Sequence, residues 1–214
     1  MRNINIVVNS NINNFDTTSK MIQSSKTYID NKDSFIFIVG GCEHEAKENN
    51  IIYTKLNSFD LTGLIYMLKN SDTINENELF FYCHDTCDFG DGFYEKVLNV
   101  SKDGSPKRLY IKAIESMFIG LYDLAVLNKF SKHILEYENY SNDFEVLNKI
   151  KSSLISKESF ILKNYPHICR SRRDSDPSDV YRNGVMRKTE YFPEIDLYKF
   201  KANWFIKNKY EINL

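Results

Sequence analysis

The chain has 214 residues, of which 42% are hydrophobic, so it is long enough to bury the core of one medium-sized domain. Its 28 basic and 29 acidic residues nearly cancel, which argues against a nucleic-acid or membrane-surface partner. No apolar run approaches the roughly 20 residues of a membrane span, and the first residues lack a signal-peptide core, so we expect a cytoplasmic protein unless a longer precursor directs it to a lumen.

The first half of the chain is predicted to alternate strands and helices. Four apolar runs predict buried strands over residues 4–8, 34–39, 51–56 and 78–83. Apolar residues at helical spacing predict one helix over about 15–29. A second helix is predicted after the third strand, with Ser58 or Asp60 as its cap.

The second half continues this alternation before its pattern changes. Helices are predicted over residues 92–100, from 123 to about 130 and from 142 to about 157, and strands over 108–112 and 116–121. Residues 169–180 are polar and rich in turn formers, which predicts a mobile loop, and aromatic residues return over 189–205. The whole pattern predicts a single α/β domain over residues 1–214, with a mixed, mostly parallel sheet covered by helices on both faces.

Three predicted strand ends carry polar residues suited to a ligand site. They are Asn9-Ser10-Asn11, Gly40-Gly41-Cys42-Glu43 and His84-Asp85-Thr86-Cys87-Asp88. Ligands of open α/β sheets bind beyond the carboxyl ends of the strands, and the glycine pair would let a ligand approach the backbone closely. The sequence therefore predicts a nucleotide-type ligand site at this edge.

Asp85 is the most informative of these residues because it directly follows the most apolar strand. A hard divalent cation that also binds phosphate oxygens would account for a carboxylate there, with Asp88 or His84 completing the protein ligands. Two alternatives remain at this stage. Asp85 could cap the next helix or fix a turn, and Cys83, Cys87 and His84 could bind zinc, although a second spaced pair of ligands is missing.

The order of these motifs resembles nucleotide-sugar glycosyltransferases of the GT-A fold, in which a hydrophobic strand leads into an Asp-x-Asp tract. The tract here is His84-Asp85-Thr86, which leaves the second carboxylate unassigned. The segments Phe81-Tyr82-Cys83-His84-Asp85-Thr86-Cys87 and Asp196-Leu197-Tyr198-Lys199-Phe200-Lys201-Ala202-Asn203-Trp204 resemble, more narrowly, small glycosyltransferase domains encoded by large DNA viruses. That resemblance implies a Rossmann-like GT-A domain acting in the cytoplasm of a host cell.

The resemblance also implies residue roles on the donor side of the site. Asp85 would bind Mn²⁺ or Mg²⁺, assisted by Asp88 or His84, and Arg172 and Arg173 would fold over the diphosphate. The nucleoside would be held by Asn9, Ser10, Asn11, Gly40, Gly41 and Glu43.

On the acceptor side, the strand that contains Gly120 and Tyr122 would face the acceptor, with Gly120 leaving room for a sugar. Glu190 and Asp196 are the candidate bases, since carboxylates between aromatic residues suit sugar recognition. His167 would be a late metal ligand or a diphosphate contact.

These roles together imply a metal-dependent glycosyltransferase that moves a sugar from a nucleoside diphosphate sugar to a hydroxyl of a glycan or glycoprotein acceptor. Uridine diphosphate sugars are the expected donors because they are common in such families. Two other classes stay open, a nucleotidyltransferase-like enzyme on a similar sheet and a non-catalytic interaction module that kept the fold. Neither the Rossmann nor the P-loop fingerprint is present in the sequence.

Overall fold

The computed structural model of the protein describes residues 4–15, 18–19, 21–22, 35–70, 73–74, 78–111, 114–138, 165–170, 180–182 and 185–202. The strands are β1 (Asn5–Asn11), β2 (Phe35–Gly40), β3 (Ala46–Glu48), β4 (Ile51–Tyr53), β5 (Phe80–His84), β6 (Cys87–Phe89), β7 (Lys107–Ile111), β8 (Ile114–Tyr122), β9 (His167–Arg170), β10 (Val180–Arg182), β11 (Val185–Phe192) and β12 (Leu197–Ala202). The helices are α1 (Thr62–Lys69), α2 (Phe93–Val100) and α3 (Leu124–Leu135), with 3₁₀ turns at Ile12–Asn14 and Phe59–Leu61.

The main sheet is mixed and has a parallel centre. Its strand order is β3-β4-β2-β1-β5-β8-β7-β9. Strands β4, β2, β1 and β5 run parallel to one another, whereas β8 is antiparallel to both of its neighbours. From β1 the chain moves to β2 on one side and later returns to β5 on the other side. The predicted mixed α/β sheet is confirmed.

A small antiparallel sheet, in the order β10-β11-β12-β6, packs against the main sheet. Two residues separate the end of β5 from the start of β6, so the turn Asp85-Thr86 joins the two sheets. Strand β12 pairs with β6, which brings the C-terminal aromatic segment to the end of β5. The sequence pattern does not predict β6, because a three-residue strand with a central aspartate is too short to show a period of two.

The core lies on both faces of the main sheet. On one face, Val7 and Tyr82 pack with residues of α1 and α3 such as Leu64 and Leu127. On the other face, the main sheet packs with α2 and with the small sheet. This cluster includes Ile6, Val8 and Phe81 of the main sheet, Phe93 and Val97 of α2, and Phe192 and Leu197 of the small sheet. Because successive strand residues point to opposite faces, a strand that is buried on both sides is apolar throughout, as residues 80–83 are.

Several element boundaries differ from those predicted. Strand β1 continues through Asn9, Ser10 and Asn11, so these residues lie within the strand and not in a loop after it. The predicted third strand ends at Tyr53, before Leu56. Residues 169–170 end β9 and do not belong to a loop. The helix predicted over 142–157 and residues 171–179 of the predicted mobile loop lie outside the described residues.

The helix predicted from residue 123 is present and longer than expected. It runs as α3 from Leu124 to Leu135, and Asp123 caps it by accepting a hydrogen bond from the Val126 amide at 2.7 Å. Within the part of the chain that the structure describes, no helix is long and apolar enough to cross a membrane.

The start of α1 depends on a residue from a different element. Its N-cap position is Leu61, which makes no side-chain capping bond, so the prediction of Ser58 or Asp60 as the cap is wrong. The Oδ1 atom of Asn9 in β1 instead accepts a hydrogen bond from the Gly63 amide at 2.7 Å. An amide of the first helical turn has no partner within the helix, so this bond fixes α1 against the sheet.

Replacing Asn9 with alanine should lower the free energy of unfolding by about 1–3 kcal/mol, because it removes a cap and leaves the buried Gly63 amide without its acceptor. Urea denaturation measures the change. Asn13→Ala is the control, since that side chain is exposed and should change the stability by less than about 0.5 kcal/mol. Equal stabilities of the two variants would contradict the role given to Asn9.

Candidate functional site

The centre of the candidate site is a contact between two strand ends. The hydroxyl of Ser10, in β1, donates to Oδ2 of Asp85, directly after β5, at 2.9 Å. Both residues are buried, with 2% of Ser10 and 6% of Asp85 exposed. Ser10 Oγ also shares a hydrogen bond with Thr18 Oγ1. One carboxylate and two hydroxyls therefore meet at the carboxyl edge of the sheet.

Strand order explains why these groups meet at this place. Strands β1 and β5 are parallel neighbours, and Asn9 pairs with His84 at their ends. The Asp85 amide continues the ladder by donating to the Asn9 carbonyl at 3.0 Å. After β1 the chain continues to β2 on one side of β1, and it later forms β5 on the other side. The contact therefore lies where the strand order reverses. Ligands of α/β sheets bind at such a switch point.

A second polar group lies on the β2 side of the switch point. The Asn11 amide nitrogen donates to Asn57 Oδ1 at 3.1 Å. Gly41 has a positive φ of 76°, and a Cβ there would lie 3.1 Å from Asn11 Nδ2. Three backbone or amide groups thus face one another at this edge. The sequence pattern does not single out Asn57, although its position directly after the third predicted strand was a usable signal.

Gly40 has a packing role in the structure. A Cβ on this residue would lie 2.6 Å from Thr62 Cγ2 and 2.7 Å from the Leu56 carbonyl oxygen. The absence of a side chain therefore lets α1 approach β2. Glu43 is exposed. Glu45, in contrast, accepts hydrogen bonds from the Thr54 hydroxyl and from the Lys55 amide.

His84 lies on the face of the sheet opposite Asp85. Its Nδ1 is 3.4 Å from Asp60 Oδ1, and its ring packs edge-on against Tyr82 with centroids 5.8 Å apart. Burial raises the pKa of Tyr82 well above its usual value, and the Asp60 charge adds to this effect. The pair of His84 with Asp60 therefore belongs to the α1 side of the sheet and not to the Ser10 side.

The three predicted metal ligands are not brought together. Asp88 is in β6, where its neighbours Cys87 and Phe89 point into the core, so alternation places its side chain on the other face of that strand. Among the residues that the structure describes, no three His, Cys, Asp or Glu side chains are grouped as a metal site. Asp85 with the neighbouring hydroxyl oxygens still suits a hard cation, because Mg²⁺ commonly takes one or two protein carboxylates and fills its shell from phosphate and water.

Cys83 and Cys87 form a buried thiol pair beside the Asp85 turn. Both are fully buried, and a hydrogen bond joins their side chains. Burial raises the pKa of Cys83, whereas the hydrogen bond from Cys83 lowers the pKa of Cys87. His84 points to the opposite face of the sheet, so the zinc set of two thiols and this imidazole is not assembled.

Asp196 braces the joint between α2 and the small sheet. Its Oδ2 accepts from the Gly92 amide at 3.0 Å and its Oδ1 accepts from the Tyr191 hydroxyl at 2.9 Å. A Cβ on Gly90 would lie 2.2 Å from the carboxyl carbon of Asp196. The structure therefore gives this candidate base a bracing role. Glu190, the other candidate, pairs with Lys199 across β11 and β12 and stays a prediction.

The predicted acceptor strand is β8, and its two candidate residues pack against each other. A Cβ on Gly120 would lie 2.2 Å from the Tyr122 hydroxyl oxygen, and Tyr122 is 1% exposed. The space beside Gly120 is thus filled by a core tyrosine, which also packs edge-on against Phe80 with ring centroids 6.4 Å apart. His167 begins β9 at the edge of the main sheet, and Arg172 and Arg173 lie outside the described residues.

Comparison with known proteins does not assign a family: no protein-family model matches the chain, and no curated protein matches it.

The bracing role of Asp196 predicts a change in how Tyr191 titrates. The hydrogen bond to Asp196 raises the pKa of Tyr191 to about 12. The hydrogen bond that raises this pKa stabilises the folded state fully at pH values below the ordinary tyrosine pKa of about 10. Its contribution to the free energy of unfolding is lost as the pH rises through about 12. In Asp196→Asn the titration should move toward the ordinary value, as measured by NMR of ring-labelled tyrosine.

The Tyr191→Phe variant identifies the resonance by its disappearance. A Tyr191 signal that titrates at the same pH in wild type and in Asp196→Asn would show that the carboxylate does not hold this hydroxyl.

Proposed function

We propose that the protein is a metal-dependent glycosyltransferase that uses a nucleoside diphosphate sugar, with uridine diphosphate sugars as the expected donors. The observation that carries this proposal is the 2.9 Å contact between Ser10 and Asp85 at the switch point of the main sheet. A buried carboxylate at the carboxyl ends of the strands suits a hard cation that is bound to a diphosphate.

The chain's own residues would then divide the binding of the donor. Asp85 would hold the cation, with its carboxylate oriented by the hydroxyl of Ser10. The group of Asn11, Asn57 and Gly41 offers amide donors and acceptors and an open backbone to a nucleoside. Asn9 is engaged with α1 and would support the site by positioning that helix.

Transfer of the sugar requires that the leaving diphosphate is stabilised and that the acceptor hydroxyl is deprotonated. The leaving diphosphate gains negative charge, which a bound divalent cation stabilises. The acceptor hydroxyl must lose a proton, and Glu190 is the proposed base because Asp196 is held by two hydrogen bonds of the fold. The acceptor would be a hydroxyl of a glycan or of a protein-linked sugar, and the proposed compartment is the cytoplasm.

A thermal-shift panel tests this proposal. UDP, GDP and CMP are each added with and without Mn²⁺. A ligand that binds only the folded state raises the melting temperature by mass action, so one diphosphate with Mn²⁺ should raise it by about 5–10 °C at a concentration of about 100 times Kd. Asp85→Asn keeps the size of the side chain and removes its charge, and it should abolish the Mn²⁺-dependent part of the shift.

Asp91→Asn is the matched control, since it neutralises an exposed carboxylate in the turn between β6 and α2 and should leave the shift unchanged. An equal shift with and without Mn²⁺ would overturn the role of the metal. If none of the nucleotides shifts the wild-type protein, the proposal fails, and a non-catalytic interaction module becomes the better explanation.

A further inference from the structure

A cavity of about 310 Å³ lies at the amino ends of the parallel strands, at the opposite edge of the main sheet from the candidate site. It is bounded by the first residues of β2, by the turn between β3 and β4, and by the C-terminal end of α1. Small-molecule sites commonly have volumes of about 300–1,000 Å³. The cavity therefore has room for one small ligand.

The cavity is separate from the contact between Ser10 and Asp85. Strand β2 begins at the cavity with Phe35, and its residue Val39 pairs with Ser10 at the other end of the strand. Four residues of extended strand span about 13 Å. Helix α1 runs the same distance in reverse, since its first turn binds β1 and Asn70, directly after its last residue, lines the cavity. A small ligand in the cavity would therefore not reach Asp85.

The cavity is lined by an apolar surface and a polar rim. Phe35 and Ile52 are buried, with 3% and 5% of their surfaces exposed, and Tyr66 of α1 lies beside them. The polar residues of the lining are Lys47, Asn49, Asn50, Asn70 and Thr73. A sugar ring has the matching arrangement, with C–H groups on its faces and hydroxyls around its edge.

The charges around the cavity favour a neutral ligand. Lys47 is the one charged side chain among the described residues of the lining, and it is exposed to solvent. Helix α1 ends at the cavity, where the carbonyl groups of a helix carry a partial negative charge that opposes the lysine. Asparagine amides both donate and accept hydrogen bonds, as sugar hydroxyls do. The lining therefore suits hydroxyl groups better than an anion.

The polar rim is held in place by the backbone. The Phe37 amide donates to the Asn50 carbonyl at 2.8 Å, which ties the turn between β3 and β4 to β2. After α1, the Thr73 hydroxyl donates to the Asn70 carbonyl at 2.7 Å, and Asn70 Nδ2 donates to the Tyr66 carbonyl at 2.9 Å. A rim that is already ordered loses less conformational freedom when a ligand binds.

We propose that this cavity binds a neutral monosaccharide unit, with the ring against the apolar surface and the hydroxyls bonded to the amides of Asn49 and Asn70. The site lies outside the proposed donor and acceptor region, so the inference goes beyond the proposed function and does not depend on it. In a glycosyltransferase, a site at this distance would hold a sugar that does not react.

Titration of the full ¹⁵N-labelled chain with methyl glycosides of glucose, galactose, mannose and N-acetylglucosamine tests the inference by NMR. At least one glycoside should shift the amide signals of the turn between β3 and β4 and of the end of α1. In Asn49→Gly its affinity should fall by about 3- to 10-fold, the range of one neutral hydrogen bond. Asn49 has a φ of 53°, which glycine adopts readily, so this variant keeps the turn.

Asn13→Gly is the matched control, because Asn13 is an exposed asparagine of the 3₁₀ turn after β1 and does not line the cavity. This variant should bind the glycoside with the wild-type affinity. Thermal melting should show the same stability for Asn49→Gly and wild type. Equal affinities of Asn49→Gly and wild type would overturn the assignment of the cavity.

Two further measurements decide where the sugar binds and which class of ligand the cavity takes. Asp85→Asn should bind the glycoside as wild type does. Weaker binding by this variant, or amide shifts confined to the carboxyl edge of the sheet, would place the sugar in the candidate site and overturn the inference. Uridine and inorganic phosphate are titrated for comparison. The inference also fails if either of them shifts the cavity amides while no glycoside does, or if no glycoside binds. The UDP panel decides the proposed function separately.

Discussion

The parallel pairing of β1 with β5 is the constraint on which the rest of the structure depends. It puts Asn9 opposite His84 and lets the Asp85 amide bind the Asn9 carbonyl at 3.0 Å, so Ser10 and Asp85 must lie side by side. The turn that follows starts β6, and β6 is the strand on which the small sheet is built. The position of the carboxylate and the attachment of the C-terminal segment therefore have one common origin.

The polar end of β1 serves three neighbours because strand residues alternate between faces. Asn9 and Asn11 point to the face covered by α1, where they bind the Gly63 amide and the Asn57 side chain. Ser10 points to the other face, where it meets Asp85. Three consecutive polar residues can be buried because each has a hydrogen-bond partner. This arrangement makes the end of β1 both a structural joint and the floor of the candidate site.

The small sheet closes the other side of this region through a dense set of contacts around Asp196. This residue has a φ of 51°, and it binds Gly92 and Tyr191 through its two carboxylate oxygens. Its backbone carbonyl also accepts the Gly90 amide at 2.8 Å. Because these bonds connect the turn before α2 with the turn between β11 and β12, they hold β12 against β6. That packing is what buries Leu197 of β12 opposite Phe89 of β6.

The sequence by itself determined the alternation of strands and helices, the burial of residues 80–83 and the polar character of the carboxyl ends of the first strands, since apolar periodicity and polar strand ends are local signals. Only the tertiary structure decided which polar groups meet. Ser10 and Asp85 are 75 residues apart in the chain, and Asn9 and Gly63 are 54 apart. Strand order brings such groups together, and no local pattern encodes strand order. The same reason explains why Asp196, a candidate base by composition, binds Gly92 and Tyr191 in the folded chain.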